Sequence, residues 1–583
     1  MRLNIVKSKN AQQFYVIESY RTADGKNTSK IVEKLGTYDQ LKEKHDDPVA
    51  WAKEYVNELN KRAAESGQKI SVDYYPAAQL SKDSANLFNG GYIFLQKIFS
   101  ELNLRYICKK ISDKYKFQYD LSQVLSRMIY NRILSPSSKS ACLEYSKTLL
   151  EPSDFSLDDI YHSLDVIADE SYNIQSDIYR FSKDIAKRND SVVYYDCTNF
   201  FFEIESESGI RKYGKSKEHR PTPIVQMGLM MDGDGIPLAM CIDEGNTNEQ
   251  KTLIPLEEKI IDDFNHSKFI ICTDAGLSSV KNRKFNNTNE RAFITVQSIK
   301  KMKAFQKEWA LSPKGWKLPG HEETFDLEEV LNSEELTKKY YSNTFYKEEW
   351  YNENDIDQKY ISTFSIKYMN YQRNIRNEQI ERAKKAIVSS DKSNRRRNTD
   401  FKRFIKKVKV TDNGEVAEKT EYFLDEELIY DEEKYDGFYC VATNLEDPAP
   451  EIIRINKRRW EIEESFRIMK TDFKSRPVYL SKDKRIKAHF IMCFISLIIF
   501  RYLEKRLGHK YTCEEIISGL RGYKFLQAKS YGYLPAYTRT QFTDDLHEAF
   551  GFRTDFEIIK KSQMNHILKL SKERKDITSK SSS

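Results

Sequence analysis

The spacing of apolar residues changes character along the 583-residue chain, and each change predicts a different kind of element. Residues 1 to about 36 read as β structure: QQFYVIESY is followed by Asp24-Gly25, a hairpin turn signal, and residues 47–66 then read as helix. From about 86 to 185 the period is helical. In LSQVLSRMIYNRIL, Leu121, Val124, Leu125, Met128, Ile129 and Ile133 follow that period, and Pro136 ends the helix. From 191 the period shifts again. SVVYYDCTNFFFEI predicts a buried strand, and IVQMGLMMDGDGIPLAMCI two strands joined at Asp234-Gly235. TLIPLEEKIIDDF predicts a helix, and KFIICTDAG and RAFITVQS two more strands. Three strands, helix, strand, helix, strand is the order of an α/β domain.

That order breaks down from about 300 to 435, where the sequence is polar and rich in Tyr, Lys and Arg. DGFYCVATN restores a buried strand. EIIRINKRRWEIEESFRIMKTDF then predicts one helix and KRIKAHFIMCFISLIIFRYLEKRL another. The simplest account is an α/β core interrupted by an insertion. After about 510 one or two short helices are expected, and SKERKDITSKSSS at the end reads as a low-complexity disordered tail. The expected division is therefore 1–70 (hairpin and helix), 71–187 (helical, a candidate for DNA binding), 188–300 and 436–507 (the two parts of the core), 301–435 (insertion) and 508–583 (terminal helices and tail).

Composition narrows the class. Hydrophobic residues at 39% suffice for a large core, and the net charge of +7 matters only where it clusters. None of the eight cysteines pairs as C-x-x-C, and five sit in apolar runs, which fits a reducing compartment and excludes a zinc ribbon. The N-terminus lacks the apolar stretch of a signal peptide. The most apolar run, Phe490 to Phe500, falls short of the roughly 20 residues that span a bilayer and reads as a buried core helix. A soluble, cytoplasmic protein with no membrane partner is expected.

The candidate chemistry is carried by acids. Asp196 in VVYYDCT and Asp274 in FIICTDAGL each lie at or near the end of an apolar strand. An acid there needs a solvated edge or a partner, and ligands of α/β sheets bind outside the carboxyl ends of strands. Two such acids on neighbouring strands suit a shared divalent cation, although each alone also suits a cap. Glu463 supplies a third. At about 100° per residue, Asn456, Arg459, Arg467 and Lys470 fall within about 40° of it, beside an apolar stripe. Glu464 is rotated away from the line of Arg459 and Lys470. A solvated face with ion pairs between turns is the plainer account of the same spacing.

These residues resemble the DDE transposases of bacterial insertion sequences, especially the sixteen-thirty-four-type branch of the insertion-sequence-four superfamily. Arg459, Glu463 and Lys470 match the spacing of the signature Y-x2-R-x3-E-x6-K, with Asn456 in place of the Tyr. DCTNFFFE, GKSKEHRP, GLMMDGDGIPLAMCIDEGNTNEQKTL, TDAGLSS and DGFYCVATNL are similar to other stretches of the family, and the likeness covers about residues 85 to 505. It implies a ribonuclease-H-like mixed sheet with Asp196, Asp274 and Glu463 as catalytic metal ligands. It also implies cleavage at terminal inverted repeats, transfer of 3′-hydroxyl ends into target DNA, and a homodimer in a synaptic complex. Phosphodiester chemistry of this kind suits two Mg2+ or Mn2+ ions. Arg459 and Lys470 are then phosphate ligands, with Asn456 and Arg467 beside them.

GIRKYGKS, residues 209–216, matches the P-loop pattern, but ESES precedes it and Pro221 and Pro223 follow, so no strand and helix flank it. Lys215, Lys217, His219 and Arg220 are instead expected on a polar loop that touches DNA phosphates. A second basic cluster, from Lys384 to Lys407 with Tyr368 and Tyr371 upstream, suits either a DNA backbone track or a solvated loop. The alternatives are a ribonuclease-H-like nuclease without strand transfer and a non-catalytic DNA-binding protein descended from a transposase.

Overall fold

In the computed structural model the chain divides after Ser84 into two units. It describes residues 1–7, 12–21, 27–65, 72, 75–77, 79, 82, 85–388, 400–410, 419–529 and 531–574. In the first unit, β1 (Arg2–Lys7), β2 (Gln12–Arg21) and β3 (Asn27–Thr37) form an antiparallel sheet. Helices α1 (Tyr38–Lys42) and α2 (Pro48–Glu65) follow. A capping box between Thr37 and Gln40 starts α1. Phe14, Leu41 and Ala52 form the unit's small core. The Asp24-Gly25 turn lies outside the described residues.

The second unit begins with a short strand β4 (Leu87–Asn89) and six helices. These are α3 (Tyr92–Glu101), α4 (Leu104–Tyr115), α5 (Leu121–Leu134), α6 (Lys139–Lys147), α7 (Leu157–Asp169) and α8 (Ser171–Ser182). The Asp120 carboxylate accepts the amides of Ser122 and Gln123 and so starts α5. The sheet follows with β5 (Val192–Phe201), β6 (Ile224–Asp232), β7 (Pro237–Glu244), helix α9 (Leu253–Phe264), β8 (Phe269–Thr273), helix α10 (Val280–Phe285) and β9 (Arg291–Val296). After α11 (Ala304–Leu311), α12 (Leu327–Asn332) and α13 (Glu334–Lys339) come β10 (Phe345–Glu353), β11 (Ile356–Phe364) and the long α14 (Ile366–Val388). Then come β12 (Ile405–Val410), β13 (Lys419–Leu424), α15 (Glu426–Glu433) and β14 (Phe438–Thr443).

Eight of these strands form one sheet in the order β10-β11-β14-β9-β8-β5-β6-β7. β5, β6 and β7 run antiparallel, while β8 lies parallel to β5 and β9 parallel to β8. With β5 counted as the first strand, this is the 3-2-1-4-5 order of a ribonuclease-H-like sheet. β5 and β6 are buried on both faces except at Asp196, which is why they read as unbroken apolar runs. The segment from 301 to 435 is not wholly separate: its β10–β11 hairpin pairs through β14 onto β9 and extends the sheet.

After the sheet come α16 (Ala449–Lys457), α17 (Trp460–Arg467) and α18 (Asp483–Arg506). One helix was expected from 451 to 473. The chain instead breaks at Arg458–Arg459, where Arg459 N–H reaches the Asn456 carbonyl and Ile462 N–H the Arg459 carbonyl, tight i→i+3 turns. Past α17, residues Ile468–Asp472 form a π turn. Its i→i+5 spacing brings Ile468 and Phe473, both fully buried, toward one face. A single 100° wheel therefore does not relate Asn456 to Lys470.

α18 is apolar all round because it is the centre of the core. It packs on α3, α5, α7 and β7, and 94% of its apolar window is buried inside the protein. The helices before the sheet and the inner face of β6 thus share one hydrophobic cluster. The C-terminal part holds more than short helices. Between α19 (Cys513–Gly522), α20 (Gln541–Phe550) and α21 (Lys561–Lys572) lie β15 (Lys524–Ala528), β16 (Gly532–Pro535) and β17 (Ile559–Lys560). They pair with β4 in a four-stranded sheet. Strands of two to five residues, one of them far away in sequence, leave no periodic signal. Residues 575–583, where the tail was expected, lie outside the described residues.

Candidate active site

The register of two parallel strands sets the first two acids side by side. β5 and β8 pair Val192 with Ile270, Val193 with Ile271 and Tyr194 with Cys272. Two residues on from the last pair, and so on the same face, come Asp196 and Asp274. Asp196 lies mid-strand, since β5 runs on to Phe201, whereas Asp274 follows the end of β8. The Asp196 Oδ1 accepts the Cys197 amide at 2.7 Å, and the Asp274 Oδ1 accepts the Leu277 amide at 3.1 Å. Gly276 leaves room for the second carboxylate: a Cβ there would come within 3.3 Å of Asp274 Oδ1. Burial pushes the Asp196 carboxyl up to about 6, with Asp274 adding to the rise and Lys217 and Arg459 opposing it.

Arg459 faces this pair from the start of α17. Burial works against its charge, but Tyr439, Cys272, Asp274 and Asp196 together hold its pKa above the ordinary value. Its side chain is 18% exposed, and its Nε and Nη1 are buried with no hydrogen-bond partner among the described residues. Its Nη2 lies 3.6 Å from Glu463, one turn on. Glu463 is 63% exposed, and the Arg459 it pairs with is the cation whose charge the two aspartates also favour. Among the described residues, the three carboxylates do not bring ligand atoms within 4.8 Å of one another; only Asp544, His547 and Asp555 do so. Glu464 is held by the Arg467 fork at 2.7 and 2.9 Å and Glu461 by Arg458, so Glu463 is the acid of α17 nearest the aspartates' cation.

The other expected contacts divide. Lys217 approaches the site: its Nζ donates to the Cys197 carbonyl and lies 3.5 Å from Glu249. Asn199 shapes that loop, donating to the Lys215 carbonyl and accepting the Lys217 amide. Lys215, Lys217 and His219 line a cleft of about 700 Å3 that reaches Gly276 beside Asp274. Lys470 sits at the far end of β5, over the Phe200 ring and 3.2 Å from Glu218; burial lowers its pKa. Arg220 packs over Phe201 there.

Arg467, by contrast, is occupied by Glu464 and Asp472, and Asn456 donates to the Tyr439 hydroxyl. In the second basic cluster, Lys384 pairs with Glu381 and Arg403 with Glu432, while Arg395–Arg397 lie outside the described residues. Sequence reasoning missed Tyr439 and Arg476, which stacks on Phe201 at 3.6 Å. Arg476 comes from a segment without a motif, and Tyr439 sits inside DGFYCVATNL without being singled out there; only the fold brings them to β5 and α17.

Hard carboxylate donors abreast on two strands, a buried guanidinium with spare donors and flanking lysines are the groups that a divalent cation and a phosphodiester would suit, and they lie on a ribonuclease-H-like sheet. The chain belongs to the DDE transposase family: residues 190–499, just over half of it, match the Transposase DDE domain. Residues 3–70 match the N-terminal domain of IS1634 family transposases. It is thus an insertion-sequence transposase of the IS1634 type, a metal-dependent enzyme that cleaves DNA and transfers strands. No curated protein matches it in sequence. Among solved structures it is similar to a piggyBac transposase synaptic complex with hairpin DNA, at 8% identity and a TM-score of 0.36 over 83% of this chain and 85% of that one.

Proposed function

We propose that Asp196, Asp274 and Glu463 hold two Mg2+ or Mn2+ ions, and that this site cuts the terminal inverted repeats of its element and joins their 3′-hydroxyl ends to target DNA. The observation that carries this reading is a double deficit of charge partners. The Asp196–Asp274 pair lacks a cation close enough to keep Asp196 readily ionised, and Arg459 beside it has two buried nitrogens without an acceptor. A metal-bound phosphodiester supplies both partners. Oxygen ligands suit Mg2+ and Mn2+, and Glu463, ion-paired with Arg459 and largely in solvent, can exchange that cation for another.

The bound ions would activate the attacking oxygen and relieve charge on the leaving one. The chain's own groups do the rest. Arg459 forks two phosphate oxygens, and Lys217 and Lys470 act as point charges on either side. Lys215 follows the backbone along the cleft, and Arg220 meets it near Phe201, at the end of β5 where Lys470 lies. Asn456 braces Tyr439 against Arg459, and Arg467, already forked by Glu464, contributes least. The expected assembly is a homodimer on paired DNA ends, working at the nucleoid in the bacterial cytoplasm.

The test is Asp196→Ala, Asp274→Ala and Glu463→Gln, assayed for Mg2+-dependent cleavage of an element end and for joining of a pre-cut end to a plasmid. Each variant is expected to lose at least about a hundredfold in rate, about 2.7 kcal/mol of barrier, while still binding DNA. Cleavage at the wild-type rate removes that residue from the site. Cleavage by the wild type without joining replaces the transposase reading with that of a nuclease.

A further inference from the structure

Far along the chain from the acids, helices α4, α5 and α21 enclose a cavity of about 520 Å3 whose lining carries four cations against two acids. Arg105 and Lys109 lie one turn apart on α4, Arg127 on α5 and Lys572 on α21; the acids are Asp120 and Glu151. Both acids are already spent. Asp120 caps α5, and Glu151 accepts from Lys572, Gln96 and Tyr92. The cations of α4 divide sharply by face. Lys110 and Lys114 meet Asp177 and Glu170 of the α8 region, whereas Arg105 and Lys109, on the cavity side, have no ion pair among the described residues.

The floor of the cavity is built. Arg127 is 6% exposed and lies over the Tyr92 and Tyr130 rings. It donates to Ser126 Oγ and to the Glu151 carbonyl, yet its buried Nε has no partner among the described residues. A guanidinium that is fixed, desolvated and one acceptor short, below two unpaired cations at the rim, is a receptor for an anion with several oxygens. Arg105 and Lys109 stand about 6 Å apart along the axis of α4. Two nucleotides of one DNA strand rise about 6.8 Å.

We propose that this cavity binds backbone phosphates of the element's DNA, giving the helices before the sheet a DNA contact independent of the catalytic acids. The proposal rests on the transposase reading above and extends it to a second footprint. It predicts a sequence-independent contribution, because phosphates position a duplex without reporting its bases.

The experiment measures binding of the full chain to a fluorescent duplex from the DNA flanking its gene, and to a random duplex, as salt is varied. Arg105→Ala/Lys109→Ala, both exposed, is compared with wild type and with Asp196→Asn. The rim variant is expected to bind both duplexes about tenfold more weakly. The slope of log K against log salt should be shallower by about 1 to 2, with the melting temperature unchanged. Arg127→Lys, which keeps the charge at the floor, should show a smaller loss.

An unchanged slope and affinity in the rim variant overturns the cavity assignment and leaves the transposase reading standing. Calorimetry with inorganic triphosphate adds a second arm. Binding of triphosphate that the rim variant abolishes, without any change in the DNA slope, gives the cavity to a small phosphate ligand and overturns the DNA assignment. Failure of the wild type to bind any duplex takes down both readings. Asp196→Asn should bind like wild type, which separates loss of this contact from loss of the catalytic centre.

Discussion

Burial of the Asp196 carboxyl beside Asp274 makes the stability of the metal-free protein fall across a particular pH window, and Asp196→Asn should expose it. Burial, with Asp274 adding to it, pushes the Asp196 carboxyl from its ordinary value of 3.8 up to about 6. A raised acid pKa in the folded state means that between about pH 4 and pH 6 the folded protein keeps a proton that the unfolded chain has lost. Stability from this group is therefore highest below pH 4, falls as pH rises through the window, and levels off above 6. Two units at about 1.36 kcal/mol each give roughly 3 kcal/mol as an upper bound, trimmed by water at the open side of the cleft. The asparagine variant cannot ionise and lacks that falling limb.

In EDTA, thermal melts at pH 4.5 and pH 8 should show the variant gaining on wild type by a few degrees at the higher pH, the size that about 2 kcal/mol produces in a large domain. Added Mg2+ should then reverse the order. A site held at about a hundred times its Kd gains about 2.7 kcal/mol, and only the wild type keeps the full ligand set. A wild-type-minus-variant difference that is equal at the two pH values would refute the burial of the Asp196 carboxyl. An equal Mg2+ response in both proteins would remove Asp196 from the metal set.

Two further expectations follow from neighbouring groups. Glu257 on α9 is fully buried, its Oε1 accepting from Asn286 and its Oε2 unpartnered, and burial pushes its carboxyl up to about 8. Stability from this group is present below about pH 4.5 and is lost as pH rises toward 8, so Glu257→Gln should match wild type at pH 5 and melt several degrees higher at pH 8.5. Equal melting at both would mean that the acid is not buried in solution. Arg459→Lys keeps the charge but loses the fork, so DNA cleavage should fall by about ten- to a hundredfold while Mg2+ still raises the melting temperature; wild-type cleavage would dismiss the two orphaned nitrogens as a phosphate site.

Local pattern determined a good deal of this protein. The runs around Asp196 and Asp274 read as buried strands because VVYY and FIIC are short apolar stretches, rich in β-branched and aromatic residues, that lead into polar ends. The motif order around them carried the family. The spacing to Arg459 and Lys470 singled out Glu463 as a candidate, although the wheel that linked them treated as one helix what is two helices and a π turn. Such a break is invisible in sequence because α16, α17 and the π turn all keep helical propensity, and the packing of Ile468 and Phe473 chooses among them.

What only the tertiary structure decided is everything that depends on distant partners. β4 joins a sheet with strands more than 430 residues away, and the β10–β11 hairpin turns part of an apparent insertion into the edge of the catalytic sheet. Arg459 becomes a buried cation with spare donors only when β14, β8 and β5 close around it, and Arg127 only when α3, α5 and α21 do. Periodicity records which face of an element is buried. It cannot record what lies opposite, and the charge left without a partner, on which both proposed sites rest, is set by that opposite face.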